Sequence, residues 1–178
     1  MTFHVLVPDS VNPKAVEVLQ QAGLKVTAPG QMKREETLAA LADADALIIR
    51  SATKADAALI AAAPRLKAIA RAGVGVDNVD LDAASAREIA VMNTPAGNTV
   101  ATAEFAFGLM LALARHIPQA FDSMQAGKWD RKSYQGVELR GKTLGIIGFG
   151  RIGQAVGKRA LAFEMRVIAY DPFIPAEA

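Results

Sequence analysis

The sequence contains no cysteine, which excludes disulfide bonds and metal sites built on thiolates. Histidine is almost as scarce, since His4 and His116 are the only two in the chain. They lie far apart in sequence and show no metal-ligand spacing. We therefore assign no metal site to this sequence.

Long apolar runs and basic clusters are also missing. The longest apolar run, Phe105–Ala114, falls well short of the roughly 20 residues that a membrane-spanning helix needs. Residues 1–10 lack the basic start and the cleavage site of a secretory signal. The formal net charge is only +2, and no basic run carries interleaved aromatic residues. These observations predict a cytoplasmic protein that binds neither membranes nor nucleic acids.

The chain does contain a regular alternation of short apolar runs and helix-length segments. Asn12, Thr53 and Asp80 stand where predicted helices begin, and their side chains suit the N-cap position. The alternation indicates right-handed βαβ units, and therefore an α/β fold with a parallel sheet. The predicted strands cover residues 4–7, 25–27, 46–49, 68–70, 89–92, 143–147 and 166–169.

One segment interrupts this alternation. Thr99–Arg115 is apolar on nearly every side after Glu104. Such a pattern predicts a helix that is buried all round, either inside a domain or between subunits. We place a domain boundary just before it. Residues 1–94 then form a domain with a five-stranded parallel sheet, and residues 95–178 begin a second domain.

Two phosphate-binding patterns overlap within residues 136–153. The first, Gly136–Thr143, reads "GVELRGKT" and fits the loop that binds nucleoside triphosphates. That loop requires a strand before its first glycine and a helix after its Lys-Thr pair. Here a polar segment precedes Gly136 and the apolar run "LGIIG" follows Thr143. The order is inverted, so we interpret this match as chance.

The second pattern, "GFGRIG", has the expected neighbours, with a strand before it and a helix after it. Gly148 permits the tight turn, Gly150 allows the backbone to approach a pyrophosphate, and Gly153 allows helix and strand to touch. Arg151 and Ile152 open the helix, where unpaired amides and the helix dipole favour phosphate. This pattern predicts a dinucleotide site.

Asp171 ends the strand that follows this helix. A carboxylate at that place accepts hydrogen bonds from an adenosine ribose and repels a 2′-phosphate. The cofactor expected from these residues is therefore NAD rather than NADP. Asp171 also precedes Pro172, so it suits a turn as well, and both roles are compatible.

Several stretches resemble the D-2-hydroxyacid dehydrogenase family, in the family's order and from about residue 46 to the end. They are "RSATK" (50–54), "RAGVGVDNVDL" (71–81), "VMNTPAGNTVATAE" (91–104), "ARHIPQA" (114–120), "GKWDRK" (127–132), "LRGKTLGIIGFGRIG" (139–153) and "YDP" (170–172). The resemblance implies a flavodoxin-like substrate domain followed by the start of a Rossmann NAD-binding domain. It also implies a small anionic 2-hydroxy acid as substrate and a homodimer or higher homo-oligomer.

The sequence is most similar to the branch of the family that oxidises 3-phosphoglycerate to 3-phosphohydroxypyruvate in serine biosynthesis. Two alternatives stay open. One is another 2-hydroxyacid dehydrogenase, of the glyoxylate or hydroxypyruvate reductase type. The other is a non-catalytic NAD-binding or dimerisation module.

The resemblance also implies substrate contacts, and the residues agree with it. Arg50 and Arg71 end two predicted strands, at the carboxyl edge where parallel sheets bind ligands. Guanidinium groups match carboxylates and phosphates. Gly73 and Gly75 would expose backbone amides to a carboxylate. The alternative for the arginines is a surface ion pair with a nearby acid such as Asp77.

Three more residues follow from the resemblance alone. Asn98 is expected near the substrate, and Arg131 is expected to reach the site of a neighbouring subunit. Val74 stands where relatives often carry threonine and where the cofactor passes. A backbone contact survives that replacement, whereas a hydroxyl contact does not.

No catalytic residue is assigned. The family's histidine, glutamate and carbonyl-polarising arginine lie beyond the part of the pattern that this chain matches, and neither His4 nor His116 fits the histidine motif. The strand at residues 143–147 is expected to have an unpaired edge. We therefore expect an amino-terminal portion of a longer enzyme that has no turnover by itself.

Overall fold

The computed structural model describes residues 2–174, and these divide into two compact units between Gly97 and Asn98. Unit 1 ends at Gly97 and unit 2 begins at Asn98. The fold is α/β with parallel strands, as predicted from the alternating pattern. Within the described residues no single helix is long and apolar enough to cross a membrane.

Unit 1 is a five-stranded parallel sheet with the strand order β2-β1-β3-β4-β5. Its elements, in chain order, are β1 (His4–Leu6), α1 (Pro13–Gln21), β2 (Lys25–Thr27), α2 (Arg34–Leu41), β3 (Ala46–Ile49), α3 (Ala57–Ala61), β4 (Ala68–Arg71), α4 (Leu81–Ala86) and β5 (Ala90–Asn93). Right-handed crossovers in this order place α1 on one face and α2, α3 and α4 on the other.

The core of unit 1 lies between the sheet and α2, α3 and α4. Leu6, Leu47 and Ile69 come from the central strands and are fully buried. They pack with Leu41 of α2 and Leu59 of α3. Burial of aliphatic side chains on this scale is the main favourable term in forming the sheet. It fixes the strand ends from which candidate site residues emerge.

The helix starts of unit 1 agree with two of the three predicted caps. The side chain of Asn12 accepts a hydrogen bond from the Lys14 amide, and that of Asp80 accepts one from the Ala83 amide. The prediction for Thr53 is wrong, because α3 begins after Asp56, whose carboxylate accepts from the Leu59 amide at 2.9 Å. The Thr53 hydroxyl donates instead to Asp9 at 2.5 Å.

Unit 2 contains α5 (Thr99–Arg115), α6 (Ile117–Gln125), β6 (Thr143–Ile147), α7 (Arg151–Ala162) and β7 (Arg166–Tyr170). Strands β6 and β7 are parallel and pair with each other, and residues 98–174 supply no third strand to this sheet. A small core forms where Phe107 of α5 packs with Ala160 of α7 and with Met165. The outer edge of β6 is therefore unpaired within the described part of the chain.

Helix α5 buries only one of its faces. Ala103 and Phe107 point into the core of unit 2. Phe105, Leu109 and Leu113 are 69%, 55% and 80% exposed. The expectation that this helix is buried all round inside a domain is thus wrong for the described residues. Burial between subunits, the other possibility that the sequence left open, remains a prediction.

Candidate substrate and dinucleotide sites

The carboxyl edge of the sheet in unit 1 brings the two candidate arginines next to each other. Arg71 is the last residue of β4 and pairs in register with Ile49, the last residue of β3. Arg50 follows Ile49 directly. Because β3 and β4 are adjacent and parallel, both arginines leave the sheet at the same edge.

Arg50 has a fixed backbone and an exposed side chain. Its amide donates a 2.6 Å hydrogen bond to Oδ2 of Asp9, which follows β1. Its Nη1 donates to the carbonyl oxygen of Ser10 at 3.3 Å. The guanidinium is otherwise open to solvent, so most of its five donors are free to meet an anion.

Arg71 instead folds back over the loop that follows it. Its Nη1 donates to the carbonyl oxygen of Gly75 at 2.7 Å, and its Nη2 lies 3.6 Å from Oδ1 of Asp77. A Cβ atom on Gly73 would lie 2.9 Å from Nη1 of this guanidinium, so the Arg71 side chain packs closely over the loop. The ion pair with Asp77 that the sequence offered as an alternative is therefore present. Nε of Arg71 is buried and has no hydrogen-bond partner among residues 2–174.

The backbone of this loop is tied to the end of β5. The Gly73 carbonyl accepts from the amide of Thr94 at 2.9 Å, and the Val74 carbonyl accepts from the side chain of Asn93 at 2.5 Å. The Gly73 amide is also engaged, since it donates to the carbonyl of Arg71. The amides of Val74 and Gly75 make no hydrogen bond to the described chain. These two amides are therefore available to a carboxylate or a cofactor.

In unit 2, the turn between β6 and α7 has the geometry of an anion site. Gly148 adopts a φ of +89°, a left-handed conformation that favours glycine. Gly150 is the N-cap of α7, and a Cβ atom built on it would meet no atom within 4 Å. Arg151 and Ile152 are the first two residues of the helix, whose N-terminal amides lack partners within the helix. The surface above Gly150 is therefore open to a phosphate.

Gly153 has a different reason to be glycine. A Cβ atom on it would overlap the carbonyl group of Gly148 and press against the side chain of Ile146 at 3.2 Å. The first turn of α7 therefore packs directly on the loop and on β6. This close packing aims the helix N-terminus at the turn.

Asp171 lies beside the same turn, immediately after β7. Its Oδ2 accepts a 2.7 Å hydrogen bond from the amide of Phe149, and its Oδ1 accepts a 2.9 Å bond from the amide of Phe173. The second contact is the turn that the sequence suggested before Pro172. A carboxylate offers about four acceptor positions, so two remain for sugar hydroxyls. The turn, the helix end and Asp171 together fit an NAD molecule.

The competing triphosphate pattern has no such setting. A turn rather than a strand precedes Gly136, and strand β6 begins at Thr143 where a helix would be required. Gly136 is glycine because a Cβ atom there would overlap the carbonyl of Ala114, at the end of α5. The interpretation of this match as chance is confirmed.

Asn98 and Arg131 are both exposed and both belong to unit 2. Asn98 precedes α5, and its carbonyl accepts from the Thr102 amide. Arg131 lies in a turn ordered by Asp130, whose carboxylate accepts from the amides of Lys132 and Ser133. The Ser133 hydroxyl and these amides hold the pKa of Asp130 below its usual value. Arg131 also lines a cavity of about 260 Å³ with Trp129 and other residues.

The two histidines have structural roles. The ring of His4 lies between the carbonyl of Asp43, 3.1 Å from Nδ1, and the hydroxyl of Thr27, 2.8 Å from Nε2. His116 ends α5 in a left-handed conformation with a φ of 53°. The His4 ring is thus held by contacts within unit 1, and His116 contributes its backbone conformation to the junction between α5 and α6. No metal-binding group of three or more acidic or histidine side chains occurs in the described part of the chain.

Sequence reasoning missed two residues at the carboxyl edge of unit 1. Asp9 is 2% exposed and accepts from the amides of Arg50 and Thr53 and from the Thr53 hydroxyl. Asn78 donates to the carbonyls of the same two residues. The signal that could have indicated Asp9 is its place, since it follows β1 at the edge where Arg50 follows β3.

Comparison with known proteins shows which family this chain resembles. The family model described as "D-isomer specific 2-hydroxyacid dehydrogenase, catalytic domain" matches residues 5–169. The D-3-phosphoglycerate dehydrogenase of Archaeoglobus fulgidus is 51% identical over 175 residues, which cover 98% of this chain and 33% of that protein. The hydroxypyruvate reductase of Thermotoga maritima is 48% identical over 174 residues, which cover 97% of this chain and 56% of that protein.

A solved structure has a similar fold. The 3-phosphoglycerate dehydrogenase of Entamoeba histolytica, determined with NAD+ bound, aligns with a TM-score of 0.79 and 34% identity. The alignment covers 99% of this chain and 56% of that one. This chain therefore spans about a third of the length of curated phosphoglycerate dehydrogenases and just over half of this solved chain.

Proposed function

Because this chain belongs to the D-isomer specific 2-hydroxyacid dehydrogenase family, we propose that its gene product oxidises a phosphorylated 2-hydroxy acid with NAD. The substrate we propose is 3-phosphoglycerate, and the reaction is then the first step of serine biosynthesis. The names of the relatives from Archaeoglobus fulgidus and Rattus norvegicus support this substrate.

The observation that carries the proposal is the placement of Arg50 and Arg71 at the carboxyl ends of two adjacent parallel strands. A 2-hydroxy acid with a phosphate carries negative charge at both ends. Two guanidinium groups at one sheet edge, together with the open amides of Val74 and Gly75, supply donors of matching charge. Arg71 must leave the carbonyl of Gly75 to meet the substrate, whereas Arg50 is already exposed.

The cofactor site of the proposal is the turn Gly148–Gly153 with Asp171. The helix amides of Arg151 and Ile152 would hold the diphosphate, and Asp171 would accept from the ribose hydroxyls. When bound, NAD accepts the hydride from carbon 2 of the hydroxy acid. We assign no described residue to the proton transfer, since neither His4 nor His116 fits the histidine motif of the family.

Cofactor choice tests the Asp171 assignment. Replacing Asp171 with Ala removes the negative charge that disfavours a 2′-phosphate, so NAD should bind more weakly and discrimination against NADP should fall. Isothermal titration calorimetry of the full-length gene product with each dinucleotide measures this. Unchanged affinity and preference would remove Asp171 from the site.

A second candidate substrate is hydroxypyruvate or glyoxylate, favoured by the 48% identity to the Thermotoga maritima hydroxypyruvate reductase. Steady-state kinetics of the gene product on 3-phosphoglycerate and on glycerate separate the two, because only the first substrate carries the extra phosphate. A kcat/KM at least about tenfold higher for 3-phosphoglycerate is expected if a guanidinium contacts that phosphate. NAD binding without turnover of either compound would instead favour a non-catalytic NAD-binding module.

We also propose that the gene product is a homodimer and that the outer face of α5 lies in the interface. Phe105, Leu109 and Leu113 recur every four residues and so form one exposed apolar stripe. The resemblance to the family further implies that Arg131 reaches the site of the partner subunit in this dimer. Light scattering at micromolar concentration should give twice the monomer mass, and a monomer would contradict this proposal.

A further inference from the structure

The loop that carries Arg50 is held by two side chains from distant parts of unit 1. We call Arg50–Thr53 the RSAT loop after its sequence. It connects the end of β3 to the segment before α3. The two side chains belong to Asp9, after β1, and Asn78, in the segment after β4.

Asp9 accepts three hydrogen bonds from donors of the RSAT loop. Its Oδ2 accepts from the Arg50 amide at 2.6 Å and from the Thr53 amide at 3.2 Å. Its Oδ1 accepts from the Thr53 hydroxyl at 2.5 Å. The residue is 2% exposed, so these bonds replace the hydration that a buried carboxylate gives up. The first and last residues of the loop are therefore tied to one carboxylate.

Asn78 donates hydrogen bonds to the backbone carbonyls of the same two residues. Its Nδ2 donates to the carbonyl of Arg50 at 2.7 Å and to the carbonyl of Thr53 at 2.6 Å. The backbone of Asn78 is itself fixed, because its carbonyl accepts from the Ala55 amide at 2.9 Å. Reversing the amide would place its oxygen against two carbonyl oxygens, so the contacts determine its orientation.

These contacts fix the start of the Arg50 side chain and leave its end free. Both backbone polar groups of Arg50 bond to buried or partly buried side chains from other segments. The guanidinium hydrogen-bonds only to the Ser10 carbonyl within the described chain, and Ser10 follows Asp9 directly. Ordering a loop on binding costs conformational entropy in addition to that of the side chain. Because the backbone of Arg50 is already fixed, only its side chain has to be ordered when an anion binds.

We propose that Asp9 and Asn78 are positioning residues that hold Arg50 ready for the anionic substrate. This inference rests on the proposed function, in which Arg50 binds the 2-hydroxy acid. Neither residue contacts the substrate in this proposal. Both act through Arg50 by fixing the RSAT loop.

The test uses Asp9→Ala and Asp9→Asn in the full-length gene product. Asp9→Ala removes all three acceptor contacts. KM for 3-phosphoglycerate should then rise about tenfold with little change in kcat. The reason is that the weakened contact, between Arg50 and the substrate, stabilises the ground state and the transition state alike. Asp9→Asn keeps the shape and one acceptor oxygen, so it should restore most of the wild-type KM.

A double-mutant cycle with Arg50→Ala shows whether Asp9 acts through Arg50. If it does, adding Asp9→Ala to Arg50→Ala should leave the KM of the single Arg50 variant within about twofold. Calorimetric binding of 3-phosphoglycerate replaces KM if turnover is too slow. A further rise of about tenfold in the double variant would overturn the inference.

Asp45→Ala is the matched control. Asp45 is also a buried carboxylate of unit 1, but it precedes β3 and so lies at the opposite end of the strand from Arg50. Its loss should destabilise unit 1 without a rise in KM. An equal rise in both variants would show general destabilisation and would overturn the role of Asp9.

Hydrogen exchange gives a readout that does not depend on turnover. The amides of Arg50 and Thr53 should exchange faster in Asp9→Ala than in wild type, and should be unchanged in Asp45→Ala. Unchanged exchange, or an unchanged KM in Asp9→Ala, would refute the positioning role alone. If the wild-type protein binds no 2-hydroxy acid at all, the proposed function is refuted and this inference with it.

Discussion

Units 1 and 2 bury their apolar side chains to very different extents. Among the described residues, sixteen of the twenty buried hydrophobic residues belong to unit 1 and four to unit 2. Fifteen of the nineteen large exposed hydrophobic residues belong to unit 2. Unit 1 is thus stabilised by its own core, whereas unit 2 presents apolar surface suited to further protein contacts.

The candidate sites of the two units also differ, in how many parts of the chain each one depends on. The arginines of unit 1 depend on contacts among β1, β3, β4 and β5, which lie far apart in sequence. The dinucleotide turn of unit 2 depends on one strand, one helix and Asp171. The first site therefore depends on the whole unit, and the second on a local motif.

The largest expected effect is on the core of unit 1. Leu47→Ala removes a fully buried side chain from β3 and should lower the free energy of unfolding by about 2–5 kcal/mol. This loss should not depend on protein concentration. Urea unfolding followed by circular dichroism measures it.

Leu113→Ala, on the exposed face of α5, is the counterpart in unit 2. Its cost should appear only at concentrations where the proposed dimer forms, since association stabilises by mass action. A cost that persists at high dilution would show that the outer face of α5 packs within one chain. That result would contradict the difference in apolar burial between the two units.

A smaller effect is expected at the dinucleotide turn. In Gly153→Ala the new methyl group meets the Gly148 carbonyl, so the variant should lose about 1–3 kcal/mol of stability and also NAD affinity. Gly150→Ala adds its methyl group to open space and should lose NAD affinity alone. Urea unfolding and calorimetry on both variants measure this, and equal stability losses would contradict the close packing at Gly153.

The smallest effect concerns Asp45 in unit 1. The His4 amide and the Arg65 guanidinium hold the pKa of Asp45 below its ordinary value of 3.8. A lowered folded-state pKa stabilises the protein above the unfolded-state pKa, and this stabilisation is lost as the pH falls through the folded value. Asp45→Asn should therefore lower Tm at pH 7, and the difference from wild type should shrink below about pH 4. A difference that stays constant down to pH 3 would contradict this assignment.

Local patterns in the sequence were enough for the fold class and for the setting of the dinucleotide turn. The strand before Gly148, the helix after Gly150 and the place of Asp171 all follow from short-range pattern. The same holds for the rejection of the triphosphate pattern, because a helix and a strand differ in periodicity. The sequence pattern did not predict that Gly136 packs against the carbonyl of Ala114.

Contacts between distant segments were beyond such reasoning. Asp9 lies about forty residues from Arg50 and Thr53, and its place after β1 indicates the edge of the sheet but not the partners of its carboxylate. Thr53 looks like an N-cap only until Asp9 takes its hydroxyl. Similarly, the apolar composition of α5 does not indicate which of its faces meets the core and which remains exposed.

The strand order of unit 1 has a consequence for its synthesis. Strands β1 and β2 can pair first, β3 then joins the free side of β1, and β4 and β5 follow outward in turn. Each strand after β1 therefore pairs with a strand that has already been synthesised. The sheet can therefore assemble in step with translation, one edge strand at a time. Asp9, made early, meets its partners on Arg50 and Thr53 once the third strand has emerged and docked.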